Sequence, residues 1–345
     1  MRYNVTIQET LASTLQIEAS SQKEAELAVD RLYRNGDIVL SSDNYLTTKI
    51  AVDKRLPFYK SLSNDFTLIQ GDCVETLSKF KFGFDMVFAD PPYFLSGGGI
   101  SCQNGRVVCV DKGEWDKPLT PDEMDAFNLR WLTAVRDHMK ENATIWISGT
   151  HHNIFSVQQQ LLKLGFKILN VITWAKTNPP PNISCRYFTY STEFIIWARK
   201  SPKVPHYFNY ELMKLLNDNK QMTDVWRLPA IARWEKSCGK HPTQKPLSVL
   251  ARLIQASTQP GAWILDPFSG SATTGIAANL LGRRYLGLEI EERFLAMSRA
   301  RREEIESLAT RRDYLAKLEK AGVIRMSEGG IVKEEDNQFY GVPWL

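Results

Sequence analysis

The chain has 345 residues, 43% of them hydrophobic and 11% aromatic, enough for a full core and a small appendage. Its 43 Lys and Arg against 39 Asp and Glu leave a net charge of only +4, which excludes a uniformly basic body, so affinity for phosphate must come from clustered cations. No cleavable apolar leader and no run of about 18 apolar residues is present, so secretion and membrane insertion are not expected and the cytoplasm is the default compartment.

Residues 1–55 read as a separate small α+β domain. Val5-Thr6-Ile7 predicts a strand, Gln22 to Tyr33 an amphipathic helix, and Asp37-Ile38-Val39-Leu40 a second strand, after which Pro57 opens a linker. From Thr67 onward, short apolar runs bounded by Gly, Asp, Asn or Pro alternate with longer helical stretches. That is the pattern of a doubly wound, mostly parallel α/β sheet of the Rossmann-like kind. Seven strands are predicted: Thr67-Leu68-Ile69, Asp85 to Ala89, Thr144 to Ser148, Ile168 to Trp174, Glu193 to Ala198, Trp263-Ile264-Leu265 and Tyr285 to Leu288. Ligands bind beyond the carboxyl ends of strands in such sheets, and three of those ends carry an acid: Asp90, Asp266 and Glu289.

The alternation divides the main body into residues 65–177, an insert over 178–240 that includes a sheet strand near 193–198, and residues 241–320. The insert carries Pro179-Pro180-Pro181, Tyr207, Tyr210, Trp226, Arg227, Trp234 and Lys236, and serves either recognition or irregular cover on the sheet. Beyond Glu291 a charged stretch to about Lys320 is expected as an amphipathic surface helix. The tail, 321–345, ends on Tyr340-Gly341-Val342-Pro343-Trp344-Leu345, which docks either on the body or on a second subunit. Cys73, Cys102, Cys109, Cys185 and Cys238 have neither C-x-x-C spacing nor alternation with histidine, so reduced thiols and no metal site are expected.

After Trp263-Ile264-Leu265 comes Asp266-Pro267-Phe268-Ser269-Gly270-Ser271-Ala272-Thr273-Thr274-Gly275, leading into a helix over Ile276 to Leu281. Small residues let the backbone approach a ligand, and the free N–H groups at the helix start favour a carboxylate or phosphate. Glu289, closing the next strand, can accept both ribose hydroxyls, so loop and acid together predict an adenosine-type ligand. Neither G-x-G-x-x-G nor Gly-Lys-Ser/Thr is present, which speaks against a nicotinamide or P-loop site. A tight turn followed by a helix-capping acid is the plainer alternative.

The strand Asp85 to Ala89 delivers Asp90-Pro91-Pro92-Tyr93. Two prolines fix φ and remove two N–H donors, leaving a stiff loop with available carbonyls. An exocyclic base amine is a poor nucleophile because its lone pair is delocalised into the ring. Hydrogen bonds from its two protons to Asp90 and to the Pro91 carbonyl would help localise that pair, and Tyr93 could stack on the base plane. The alternative is a rigid turn with Asp90 capping and Tyr93 packing.

Together these strings resemble the amino methyltransferases of DNA, specifically the β class, in which the catalytic motif precedes the cofactor loop. The resemblance implies S-adenosyl-L-methionine as cofactor and a permuted strand order. It assigns Asp72 of Gly71-Asp72 to the cofactor adenine, and His241-Pro242-Thr243-Gln244-Lys245-Pro246 to the methionine end. His241, Thr243 and Lys245 would act there, with Lys245 on the carboxylate. Phe268, Gly270, Ser271, Thr273 and Thr274 line the cofactor loop on the same reading. The family usually has Gly at Ala272, whose methyl group is therefore expected to crowd the cofactor and alter its affinity.

Phe94 to Ser101, Asp111 to Lys117 and Trp174-Ala175-Lys176-Thr177-Asn178-Pro179 narrow the resemblance to the second adenine methylase of Dpn-type GATC restriction systems. That relationship implies N6-adenine methylation of 5′-GATC-3′ in double-stranded DNA, with single-stranded DNA as a further substrate, base flipping and a homodimer. Residues 1–55 resemble a small accessory domain of plasmid and restriction systems, on Glu9-Thr10-Leu11, Glu24-Ala25 and Gly36 to Leu40. Candidate DNA contacts are Arg106, Lys112 and Lys117 after the catalytic loop, Lys176 and Asn178, and Arg186, Arg233 and Lys240 in the insert. The competing readings are cytosine-N4 methylation, methylation of a protein amide or RNA, and a cofactor-binding DNA module without catalysis.

Overall fold

The computed structural model describes residues 5–19, 21–41, 45–52, 57–94, 100–103, 106–109, 116–179, 181–182, 185–327 and 330–331. The chain divides into two compact units, 1–56 and 57–345. In the first, β1 (Val5–Leu11) and β2 (Tyr45–Val52) pair antiparallel around α1 (Gln22–Arg34). Ser21 caps α1 by accepting from the Glu24 N–H. The strand expected at Asp37–Leu40 is absent. Gly36, at φ 82°, closes the helix, and the N–H groups of Asp37 and Ile38 both turn back to the Leu32 carbonyl, at 2.9 and 3.2 Å. Those amides are spent on the helix end, so the second strand starts only at Tyr45.

In the second unit, the first strand starts at Tyr59, two residues after the Pro57 at which a linker was expected to open. The unit runs β3 (Tyr59–Lys60), β4 (Phe66–Gln70), α2 (Cys73–Leu77), β5 (Phe84–Ala89), the hairpin β6 (Ile100–Gln103) and β7 (Arg106–Cys109), α3 (Pro121–Asp137), β8 (Met139–Gly149) and α4 (Ile154–Lys163). It continues with β9 (Lys167–Lys176), β10 (Thr192–Arg199), α5 (Tyr210–Leu215), β11 (Val225–Leu228), a 3-10 turn at Arg233–Lys236, α6 (Leu247–Ser257), β12 (Trp263–Asp266), α7 (Thr273–Leu280) and β13 (Arg284–Glu289). Then come α8 (Glu292–Glu304), α9 (Leu308–Lys320) and the small hairpin β14 (Met326–Ser327) and β15 (Gly330–Ile331). All seven predicted strands are present, and β3 and β11 extend the sheet at its two edges.

The sheet order is β11-β9-β10-β8-β5-β12-β13-β4-β3. Strands pair in parallel except where β10 meets β8 and β9 and where β3 meets β4. From β5 the chain works outward to β11 and then returns to insert β12 on the other side of β5. The carboxyl ends of β5 and β12 therefore flank the topological switch point, where a crevice opens because adjacent connections leave in opposite directions.

Alternation along β5 builds both faces. Met86 and Phe88 enter the core under α6, α7 and α9, while Val87 and Ala89 enter the one under α2, α3 and α4. Gly275 lets α7 lie directly on the sheet, since a Cβ there would stand 2.5 Å from the Phe66 and Tyr285 rings. The charged stretch after Glu291 is two helices instead of one surface helix. Ser307 caps α9, and Arg301 and Arg302 on α8 are buried. The tail beyond residue 331, including Tyr340 to Leu345, lies outside the described residues. Among the described residues, no helix is long and apolar enough to cross a membrane.

Candidate active site and cofactor cleft

The loops after β5 and β12 face one cavity of ≈ 490 Å³ at the switch point, within the range of about 300–1,000 Å³ usual for small-molecule sites. Every residue expected to act in catalysis or cofactor binding lines it, from Asp72 to Glu289. Asp116, Phe127 and Phe294 line it too; Asp116 falls in the Asp111 to Lys117 string without having been given a role, and nothing in the sequence pointed to the two phenylalanines.

Asp116 explains how the catalytic loop is held. Pro91 and Pro92 donate nothing, so Tyr93 and Phe94 carry the first amides the loop can anchor. Both donate to Asp116 Oδ1, at 3.0 and 2.7 Å. Asp116 is fully buried. The anchoring turn sets Phe94 at φ 58°, a left-handed conformation that a bulky residue adopts only when its surroundings impose it.

Asp90 has a partner on each oxygen. The Tyr93 hydroxyl donates to Oδ1 at 2.7 Å and the Lys245 ammonium to Oδ2 at 2.6 Å. Tyr93 is 7% exposed, its hydroxyl lies 3.1 Å from Ser148 Oγ, and Lys245 Nζ stands 5.3 Å from its ring centre. Lys245 also lies 3.6 Å from Glu193 Oε2, and Glu193 pairs in turn with Lys176. The result is a buried row of alternating charge, Lys176–Glu193–Lys245–Asp90. Lys245, expected on a cofactor carboxylate, is here committed to protein carboxylates while still facing the cavity.

Electrostatics follow from that row. Burial raises the Asp90 carboxyl, against the pull of Lys245. Burial alone would lower Lys245, but Asp90, Tyr93 and Glu193 hold it well above the usual lysine range, so it remains an ammonium. Burial likewise pushes Glu193 up, and Lys245 and Lys176 more than reverse this. Lys245, itself held by Glu193, opposes the rise at Asp90 through its charge and its hydrogen bond without cancelling it.

The cofactor half is organised from the backbone outward. Glu289 accepts the Gly270 N–H at 2.8 Å and the Glu291 N–H at 2.9 Å, one on each oxygen. Gly270 sits at φ 52°, and a Cβ there would come within 3.1 Å of the His241 ring. His241 packs edge-on against Phe294 at 4.2 Å, and burial pushes its imidazole down to about 4, so it is neutral. Asp72 caps α2 through the N–H groups of Val74 and Glu75. From α8, buried Arg301 donates to the Ser271 carbonyl and to Thr273 Oγ1, propping the loop from behind. A carboxylate for hydroxyls, an ammonium for a carboxylate and a glycine cradle for close approach fit S-adenosylmethionine.

Asp266 accepts from Thr274 Oγ1 at 2.6 Å and from the Phe268 N–H at 3.1 Å, and burial pushes it up to about 7 from 3.8. A carboxyl raised by folding opposes stability where it is ionised. The cost is absent below the ordinary value, grows toward pH 7 and is complete above it, up to about 4 kcal/mol. Asp266→Asn is expected to raise the melting temperature of the ligand-free protein more at pH 8 than at pH 5. A shift independent of pH would contradict the assignment.

Ala272 corrects an expectation. It does not line the cavity, but it is fully buried at φ 52°, ψ 34° as the N-cap of α7, which starts at Thr273, three residues before the predicted Ile276. Its departure from the family pattern therefore strains backbone instead of crowding ligand, by roughly 1–2 kcal/mol. Ala272→Gly is expected to stabilise the protein by about 0.5–1 kcal/mol in urea unfolding, part of the relief being lost to chain entropy. Cofactor affinity should not change; a changed Kd would restore the crowding explanation.

Among the described residues, none of the proposed DNA contacts lines the cavity. Arg186, Arg233, Lys240 and Lys117 are exposed. Lys176 is held against Glu193, with its Nζ 5.2 Å from the Trp174 ring centre, which removes it from open surface. Asn178 accepts the Ala230 N–H at 2.9 Å and so closes the insert. Arg106 lies on β7, its side chain outside the described residues, as is all of Lys112.

A family model described as DNA methylase matches residues 84–300, and one described as DpnD/PcfM-like protein matches residues 3–48. The type II methyltransferase M2.MboI of Moraxella bovis is 57% identical over 72% of this chain and 92% of its own length. M2.DpnII of Streptococcus pneumoniae is 54% identical over 72% and 92%. Among solved structures, the M1.HpyAVI–SAM complex aligns with a TM-score of 0.54 at 26% identity, over 68% of this chain and 98% of that one. The cytosine-N4-specific PvuII methyltransferase shares the fold at TM-score 0.56 and 17% identity, over 77% and 95%. The chain belongs to the DNA methylase family, and it is a DNA methyltransferase whose methyl donor is S-adenosylmethionine.

Proposed function

We propose that the protein methylates N6 of adenine within 5′-GATC-3′, with Asp90 as the acceptor that readies the amine. The observation that carries this is a buried carboxylate, hydrogen-bonded to the Lys245 ammonium, in the lining of a cavity fitted for the methyl donor. The cofactor supplies a methyl group on a sulfonium, already bearing a good leaving group. Asp90 accepts a hydrogen bond from one amino N–H of the base and the Pro91 carbonyl accepts one from the other, which helps localise the nitrogen lone pair. Tyr93 holds the base, and the stiff diproline loop fixes its approach, alignment being worth up to about 7–11 kcal/mol of barrier. Glu289 holds the ribose hydroxyls, and Lys245 remains within reach of the methionine carboxylate.

The GATC assignment rests on the likeness to the second methylase of Dpn-type systems and on the close relation to M2.DpnII. The same likeness supports single-stranded GATC as a second substrate, a homodimer and a cytoplasmic location. Residues 178–240 serve target recognition, with the exposed side chains of Arg186, Arg233 and Lys240 meeting the DNA backbone. Pre-incubation of a GATC-containing plasmid with protein and S-adenosylmethionine is expected to block cleavage by an endonuclease that cuts only unmethylated GATC. Full cleavage alongside incorporated label would leave methylation standing and remove the sequence assignment.

A further inference from the structure

Four rings gather at the surface beside the crevice, with Phe188 exposed between two of them in the chain, and none has a part in the chemistry above. His151 and His152 follow β8, and Tyr187, Phe188 and Tyr190 precede β10. His151 stacks on Tyr190 with centroids 5.0 Å apart and planes at 21°. Tyr187 meets Tyr190 at 5.4 Å, and His152 lies 3.8 Å from His151. Phe188 stands in water at 95% exposure, with Tyr187 and Tyr190 at 57% and 60%. A phenyl ring so exposed contributes almost nothing to the core, and a cluster of exposed aromatics marks a binding surface.

The position of the cluster is tied to the catalytic residues through two strands. Ser148, at hydrogen-bond distance from the Tyr93 hydroxyl, lies three residues before His151. Glu193, 3.6 Å from the Lys245 ammonium, lies three residues after Tyr190. At about 3.3 Å per extended residue, the rings begin roughly 10 Å from the groups that hold Asp90. Flat faces suit a base stack, and exposed Arg186 beside them suits a phosphate.

We propose that Phe188, carried in the chain between the packed rings of Tyr187 and Tyr190, inserts into the duplex where the target adenine has left it. Resting on the reading that the acceptor is a base drawn out of duplex DNA, this supplies the contact that replaces the lost stacking. An adenine that is already unpaired needs no such wedge, so the ring matters for duplex and not for single-stranded substrate.

The test compares the full chain with its Phe188→Ala and Tyr190→Ala variants on three oligonucleotides: a paired GATC duplex, a duplex with an abasic site opposite the target adenine, and a single strand. Phe188→Ala is expected to lose about 10–100-fold in kcat/KM on the paired duplex, the range of one lost stacking contact, and to change little on the other two. Fluorescence of 2-aminopurine at the target position should rise with the wild-type protein on the paired duplex and fail to rise with the variant. Tyr190→Ala, which removes the ring that both His151 and Tyr187 pack against, should move both readouts in the same direction by less. Equal loss on all three substrates, or an unaffected duplex, overturns the wedge. So does a change of oligomeric state on sizing, which would assign the rings to a second copy of the chain. Wild-type turnover on the single strand is the internal reference, because its absence counts against the proposed function and not against the wedge.

Discussion

Asp90→Ala is expected to lower kcat by about 10³-fold, the scale set by removing one preorganised group from a transition state, with cofactor and DNA binding little changed. Asp90 occupies the carboxyl end of β5 and does not hold the fold: its partners are the Tyr93 hydroxyl and Lys245. Lys245 retains Glu193 when Asp90 is lost, so the variant should fold. Cofactor Kd by calorimetry and DNA Kd by anisotropy separate binding from turnover. Retained turnover would remove Asp90 from the chemistry, whereas equal losses in binding and rate would make it a scaffold residue.

Lys245→Met should act on both chemistry and stability. It leaves two buried carboxylates, Asp90 and Glu193, without the ammonium between them, and removing one partner of a buried pair typically costs about 3–5 kcal/mol. The sign follows from Glu193, which Lys245 and Lys176 hold below its ordinary value against the upward push of burial. A lowered carboxyl gives stability above its ordinary pKa, lost as pH falls. Without Lys245 both acids move up, so the variant should be weakest near neutrality and recover as pH falls and the acids protonate. The acid limb of the kcat profile should move to higher pH for the same reason. Lys245→Arg should not rescue either effect, because a planar fork cannot replace a compact ammonium in that space. A pH-independent loss of stability, or an unmoved acid limb, would contradict the charge row.

Much of this was readable because the chemistry sits in strings that follow strands. Asp85 to Ala89 and Trp263-Ile264-Leu265 are apolar runs with an acid at the end, and β5 and β12 place those acids at the switch point. What escaped was carried by tertiary pairing. Glu193 stands near the start of β10, and because β10 runs antiparallel to β8 its first residues, not its last, reach the catalytic edge. A rule that reads only the carboxyl ends of strands passes over it. Asp116 works through two backbone amides that no side-chain pattern reveals. Lys176 read as a free cation, but the sheet pairs it with Glu193. At Asp37–Leu40 the residues suit a strand, and the turn set by Gly36 overrode that preference. β3 and β11 were too short to give a period.

The central claim is that Asp90 and its loop direct a methyl group to adenine N6 in DNA. The most direct measurement incubates the full chain with methyl-labelled S-adenosylmethionine and a GATC duplex, digests the DNA and identifies the labelled nucleoside. Label in N6-methyladenine is the predicted result. Label in N4-methylcytosine would contradict it.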